Sequence, residues 1–146
     1  MSQSTIQIDV LIPTQTKYLD LIGHIGERVA KVLDHYQGDR DALAYHLNLV
    51  LTEATTYAIK QSHATENTNA IENNVRILIK IEADSVNIKV YDHGIGVNLN
   101  TETLQQTELD HTKENNIGLF FIKKLMDSAT YTQLDDGNVL EIIKYL

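Results

Sequence analysis

The sequence predicts an α+β fold, a two-layer α/β sandwich in which three helices cover one face of a mixed or antiparallel sheet. Three observations lead there. Long segments carry apolar residues every three or four positions, several short segments alternate apolar with polar residues, and the two kinds cluster in the order β-α-α-β-β-loop-α-β-β instead of strictly alternating.

The first strand is the alternating run Thr5-Ile6-Gln7-Ile8-Asp9-Val10, carried through Leu11-Ile12 to Pro13, which cannot donate a ladder hydrogen bond and ends it. Thr14 is placed to cap the first helix. From Tyr18 the positions Leu21, Ile22, Ile25, Val29, Val32, Leu33 and Tyr36 recur at helical spacing, and Gly38 supplies a C-terminal stop. Asp39 or Asp41 caps a second helix whose stripe is Leu43, Leu47, Val50, Leu51, Ala54 and Ala58, reaching about Gln61. The polar stretch from Ser62 to Asn69 reads as a loop. Ile71 to Ile81 then alternates through Val75, Ile77 and Ile79, Asp84-Ser85 turns the chain, and Val86 to Tyr91 alternates again. So short a connection excludes a parallel crossover, which makes this pair an antiparallel hairpin. Between Asn98 and Asn116 only Leu99, Leu104 and Leu109 are apolar, a connection long enough to suggest a lid or binding loop. A third helix runs from Gly118 to Met126. Ala129 to Leu134 and Val139 to Tyr145 close the chain as a hairpin around Asp135-Asp136-Gly137-Asn138.

With 146 residues, 42% of them hydrophobic, the chain suits one domain over 1–146. The absence of cysteine excludes disulfides and thiolate metal sites and fits an intracellular, cytoplasmic protein. There is no basic-then-apolar leader and no run of the ~20 apolar residues that a membrane span requires, so neither secretion nor insertion is expected. A formal net charge of −8 without a basic patch argues against nucleic acid and suits a partner protein with basic segments. His24, His35, His46, His63 and His111 lack the spacing of a metal site on one helical face, and no metal ligand is assigned.

Two places could carry chemistry. In Val90-Tyr91-Asp92-His93-Gly94-Ile95-Gly96-Val97 a strand delivers a carboxylate to its end, and two alternate glycines leave room for a flat or anionic ligand against the main chain. On the second helix Glu53 and Tyr57 lie one turn apart, both flanking the apolar stripe, where a side chain can reach past the sheet edge. Phe120 and Phe121 read as packing or partner-facing bulk, and His93, Lys113 and the Lys123-Lys124 pair as solvated residues.

With Leu51-Thr52-Glu53-Ala54-Thr55-Thr56-Tyr57-Ala58-Ile59, the Asp92-His93-Gly94-Ile95-Gly96 turn and Ile117-Gly118-Leu119-Phe120-Phe121-Ile122-Lys123-Lys124-Leu125-Met126-Asp127 in this order, nearly the whole chain resembles the histidine-kinase-like ATPase superfamily. Within it the likeness is to the anti-sigma factor serine kinases. The resemblance implies that Glu53 serves as general base, that Asp92 receives the adenine amino group of ATP, and that Gly94 and Gly96 let purine and ribose approach the backbone. It places Gly118 at the start of the third helix, where main-chain N–H groups would meet the triphosphate, with Asn115 and Asn116 in place of further glycines. The family pattern Glu-Ala-x-x-Asn-Ala uses its asparagine to hold magnesium. Here that position is Tyr57, whose phenol is a poor ligand for a hard cation and bulky where phosphates would lie. Two functions lead, ahead of a structural homodimer that takes no nucleotide. One is a regulator that binds ATP and phosphorylates a serine of a small antagonist protein in a partner-switching system. The other is a catalytically inactive ATPase-fold module that regulates a sigma factor or antagonist by stoichiometric association. The resemblance also implies a homodimer.

Overall fold

The computed structural model describes residues 5–64, 74–93 and 114–146. Their order is β1 (Ile6–Pro13), a single 3-10 turn (Thr16–Tyr18), α1 (Leu19–Lys31), α2 (Arg40–Ala64), β2 (Asn74–Ile81), β3 (Ser85–Asp92), α3 (Glu114–Leu125), β4 (Ser128–Leu134) and β5 (Gly137–Tyr145). The strands form one sheet in the order β1-β2-β3-β5-β4, every neighbouring pair antiparallel, which settles the mixed-or-antiparallel alternative.

Register explains the two layers. Ile8, Ile79, Ile88, Ile142 and Ala129 line up across all five strands, and the next row is Val10, Ile77, Val90, Leu140 and Tyr131. With side chains alternating between faces, the rows between them put Asp9, Leu78, Lys89, Glu141 and Thr130 on the opposite surface. The isoleucine face packs with Ile22, Val29, Leu47, Leu51, Leu119 and Ile122 of the helices in one continuous core. Each fully buried aliphatic side chain there contributes about 1.5–3 kcal/mol relative to exposure.

α1 and α2 approach closely because α1 presents glycine to its partner: a Cβ on Gly26 would lie 2.7 Å from the Leu47 carbonyl oxygen. Beside this seam Asn48 donates to the Glu27 carboxylate, and the Thr52 hydroxyl donates to Asn48 Oδ1 at 3.3 Å. At the start of α2, Asp39 is the cap, accepting from the backbone N–H of Asp41 at 2.9 Å and of Ala42 at 3.2 Å.

Several sequence expectations need correction. The N-cap positions fall elsewhere than at Thr14: Gln15 precedes the 3-10 turn and Tyr18 precedes α1, neither with a side-chain cap bond of its own. α1 ends at Lys31, well before Gly38, because Val32 and Leu33 donate to Val29 and Ala30 in tight three-residue bonds that close the helix. Leu33 still reaches the core through these turns, whereas Leu21 and Val32, read as part of the buried stripe, are 55% and 51% exposed. α2 runs three residues past Gln61, to Ala64. α3 begins at Glu114, so Asn115 and Asn116 belong to the helix and Gly118 sits in its second turn, not at its start. Residues 98–113 of the expected lid lie outside the described residues. Among the described residues no helix is long and apolar enough to cross a membrane.

Candidate functional site

The site is built where the ends of three strands meet the middle of α2. β3 carries the sheet-face alternation to Asp92, whose register partner on β5 is Asn138. Asp92 therefore points to the helix-covered side and is only 3% exposed. Burying a carboxylate requires donors, and two come from neighbouring strands. The Tyr131 hydroxyl on β4 donates to Oδ2 at 3.1 Å, and Asn138 Nδ2 donates to Oδ1 at 2.8 Å. Gly137 makes the approach possible: its φ is +149°, and a Cβ there would stand 2.0 Å from the Asp92 carbonyl oxygen.

Tyr57 enters this cluster from α2. Its ring meets that of Tyr131 edge-on, with centroids 5.5 Å apart and planes at 83°. It is 6% exposed and belongs to the core, which corrects the expectation that it flanks the apolar stripe. The physical reason lies in α2 itself. From Val50 to Ile59 seven of ten residues are buried and the other three partly so, because α1, α3 and the sheet all pack against this helix, and Tyr57 falls among the seven. The Tyr57 hydroxyl lies against that of Tyr131 and within the field of the Asp92 carboxylate. Burial first, and then the charge of Asp92, push the phenols of both Tyr57 and Tyr131 well above the ordinary tyrosine range. Both stay neutral at any physiological pH.

Glu53 stands one turn before Tyr57, half-buried, against α3. A Cβ on Gly118 would lie 2.7 Å from Glu53 Oε2, so the glycine is what admits this carboxylate to the surface of α3. At the far end of α2, the His93 N–H donates to Ser62 Oγ at 3.4 Å, and His93 Nδ1 lies 3.3 Å from the carbonyl oxygen of Asp136 in the β4–β5 turn. The fold thus gathers Glu53, Tyr57, Asp92 and Gly118 into one region. Gly94, Gly96 and Lys113 lie outside the described residues. Phe121 is 42% exposed on α3, which suits bulk that faces a partner.

Tyr131 and Asn138 were not found from the sequence. Tyr131 sits in an ordinary alternating strand and Asn138 in what reads as a turn. Only the β3–β5 and β4–β5 registers, across sequence separations of 46 and 39 residues from Asp92, bring them together.

The arrangement can be tested against the nucleotide and magnesium of the resembled family. A magnesium ion needs compact oxygen donors in octahedral geometry. Position 57 offers a buried neutral phenol turned to Asp92, and among the described residues no three His, Asp or Glu side chains converge. The residues present do not fit the metal. Nor does Asp92, held by Tyr131 and Asn138 and facing Tyr57, present an open carboxylate to a base.

Compared with known proteins, the chain matches the model of the histidine kinase-like ATPase domain over residues 17–144. It is similar to the curated protein named Serine-protein kinase RsbW from Staphylococcus aureus strains MRSA252 and Newman. Each is 24% identical over 149 aligned residues, which cover 95% of this chain and 86% of the relative.

Proposed function

The chain belongs to the histidine kinase-like ATPase domain family, and from that premise we propose that it is a regulator of the anti-sigma factor serine kinase type. It acts by stoichiometric association with a sigma factor or an antagonist protein, without phosphoryl transfer. The observation that carries this reading is Tyr57, buried in the core at the position of the metal-holding asparagine. Phosphoryl transfer depends on positioning and on neutralising phosphate charge with metal, and a neutral phenol packed on Tyr131 provides neither.

In this reading Glu53 keeps the place of a general base without a phosphate acceptor to serve. Its carboxylate instead rests on α3 at Gly118. The formal charge of −8 favours a partner with basic segments by steering its approach. The protein would work in the cytoplasm as a single domain over 1–146, as a homodimer.

The kinase reading is favoured by one observation, the retained carboxylate of Glu53 against Gly118 in the second turn of α3. A direct experiment separates the two. The purified chain is mixed with purified sigma factors and antagonist proteins from its own genome, with and without magnesium ATP. Complex formation is followed by gel filtration and calorimetry, and phosphoserine by mass spectrometry. Association that is independent of nucleotide and leaves every serine unmodified is the expected result. Phosphate on an antagonist serine, lost in Glu53→Gln, establishes the kinase instead.

A further inference from the structure

Toward the end of the sheet opposite Asp92, apolar side chains and carboxylates share one groove. β1 and the end of β2 form one wall through Ile6, Ile8 and Ile81, and α1 forms the other through Leu21, Ile25 and Val32, around a hollow of about 450 Å³. A second hollow, of about 300 Å³, continues it past the end of α1. Ile6, Val32 and Ile81 line both, so the two are one groove. β3, 8 residues long, sets the β2–β3 turn at its far end about 26 Å from Asp92. Ile6, Leu21 and Val32 are each about half exposed, and clustered apolar surface of this kind marks a site of association. Walls so open suit the side chains of a protein segment better than a small molecule, which a pocket buries over most of its surface.

The charges give the occupant a direction. Past Val32 the groove is lined by Asp34, Glu82 and Asp84, with His35 beside them. Asp34 is shared with Arg40 at 3.4 Å, whereas Glu82 and Asp84 form no ion pair among the described residues. Arg28 and His24 line only the first hollow, and His24 is itself paired with Asp20 at 3.5 Å. Carboxylates at one end of an apolar groove fit a segment whose apolar side chains are followed by lysine or arginine.

We propose that the protein partner docks in this groove through an amphipathic segment, its apolar side chains lying between Ile8 and Val32 and its lysine or arginine residues reaching Glu82 and Asp84. The inference rests on the reading that the chain acts by association. It goes further in giving the contact surface and the composition of the segment that fills it.

The test titrates purified sigma factors and antagonist proteins from the same genome, calorimetrically, with the wild-type chain and three variants. Val32→Lys puts a cation on the apolar wall, and the double variant Glu82→Lys, Asp84→Lys reverses the acidic end. The double variant Asp135→Lys, Asp136→Lys, in the β4–β5 turn, changes net charge as much as the first double variant does, but outside the groove. All five positions are exposed, and circular dichroism verifies that each variant folds. Both groove variants are expected to weaken association at least about tenfold, and the control less than about twofold. Equal weakening in the control overturns the proposal, because net charge and not the groove then guides the partner. Unchanged affinity in either folded groove variant also overturns it and leaves the association reading standing, whereas a wild type that binds no partner removes both. Gel filtration of the chain alone covers the other occupant: a groove variant that changes the chain's own oligomeric state and keeps its partner assigns the groove to a second copy, against the proposal. If Val32→Lys fails to fold, the charge reversal at the β2–β3 turn and its control decide.

Discussion

Replacing Tyr131 with phenylalanine removes one oxygen from the most polar point of an otherwise apolar core. The ring, 1% exposed and packed on Tyr57, keeps its shape, so the change isolates the hydroxyl and its 3.1 Å hydrogen bond to Asp92 Oδ2. A hydrogen bond to a charged group contributes about 1.5–3 kcal/mol, and a buried carboxylate that loses a donor is penalised by a similar amount. Asn138 continues to donate to Oδ1, which keeps the cost within that range. Tyr131→Phe is therefore expected to lower unfolding free energy by about 2 kcal/mol, or to lower the melting temperature by about 4–8 °C for a chain of this size. Tyr57→Phe is the internal comparison. Its hydroxyl lies against that of Tyr131, a contact between two neutral groups, so removing it should cost no more than about 1 kcal/mol. Urea unfolding monitored by far-UV circular dichroism measures both variants. A Tyr131→Phe midpoint equal to wild type, or an equal loss in both variants, refutes the assignment of Tyr131 as the donor to the Asp92 carboxylate.

The same two phenols set the alkaline limit of the fold. Both have folded-state values raised above the ordinary 10.0, so the folded chain keeps two protons that the unfolded chain releases. Their contribution is fully present below the unfolded value and is lost as pH rises above it. Stability should be flat up to about pH 10 and then fall by about 1.4 kcal/mol per pH unit for each phenol, and urea midpoints from about pH 8 to 11 in wild type and Tyr57→Phe measure the slope. Gly137→Ala should cost about 3 kcal/mol or more, since a Cβ at φ +149° would stand 2.0 Å from the Asp92 carbonyl oxygen and neither backbone can yield; thermal melting reads the loss. Gly118→Ala should have the opposite sign, a gain of up to about 1 kcal/mol from helix propensity, because only the flexible end of Glu53 lies in the way. The same melts would show a loss instead if Glu53 could not swing aside.

Local chemistry made most of the framework legible. Pro13 ends β1, and Asp39 caps α2 as its residue type suggests. The isoleucine alternation of β2 and β3 carries the sheet register with it, because slipping one residue would turn every apolar side chain to the other face. Errors arose where spacing and burial part company. Val32, Leu33 and Tyr36 hold helical spacing although the chain has left the helix, since tight turns serve the core equally well. Gly118 reads as a boundary, yet it stands inside α3, with the end of the Glu53 side chain in the space of its missing Cβ. The site was half visible. Glu53, Tyr57 and Asp92 stand out by type and spacing, whereas the groups that define the state of Asp92 belong to strands β4 and β5. Nothing local to Tyr131 or Asn138 signals a buried carboxylate opposite, and nothing local to Tyr57 reveals that its helix is covered on every side.

Titration of the wild-type chain with ATP, with and without magnesium, decides whether this family member regulates without the nucleotide chemistry of its fold. No binding heat is expected at millimolar nucleotide in either condition, since Tyr57, buried at the metal position, offers no metal ligand. Saturable binding that strengthens with magnesium would contradict it and return the protein to the kinases.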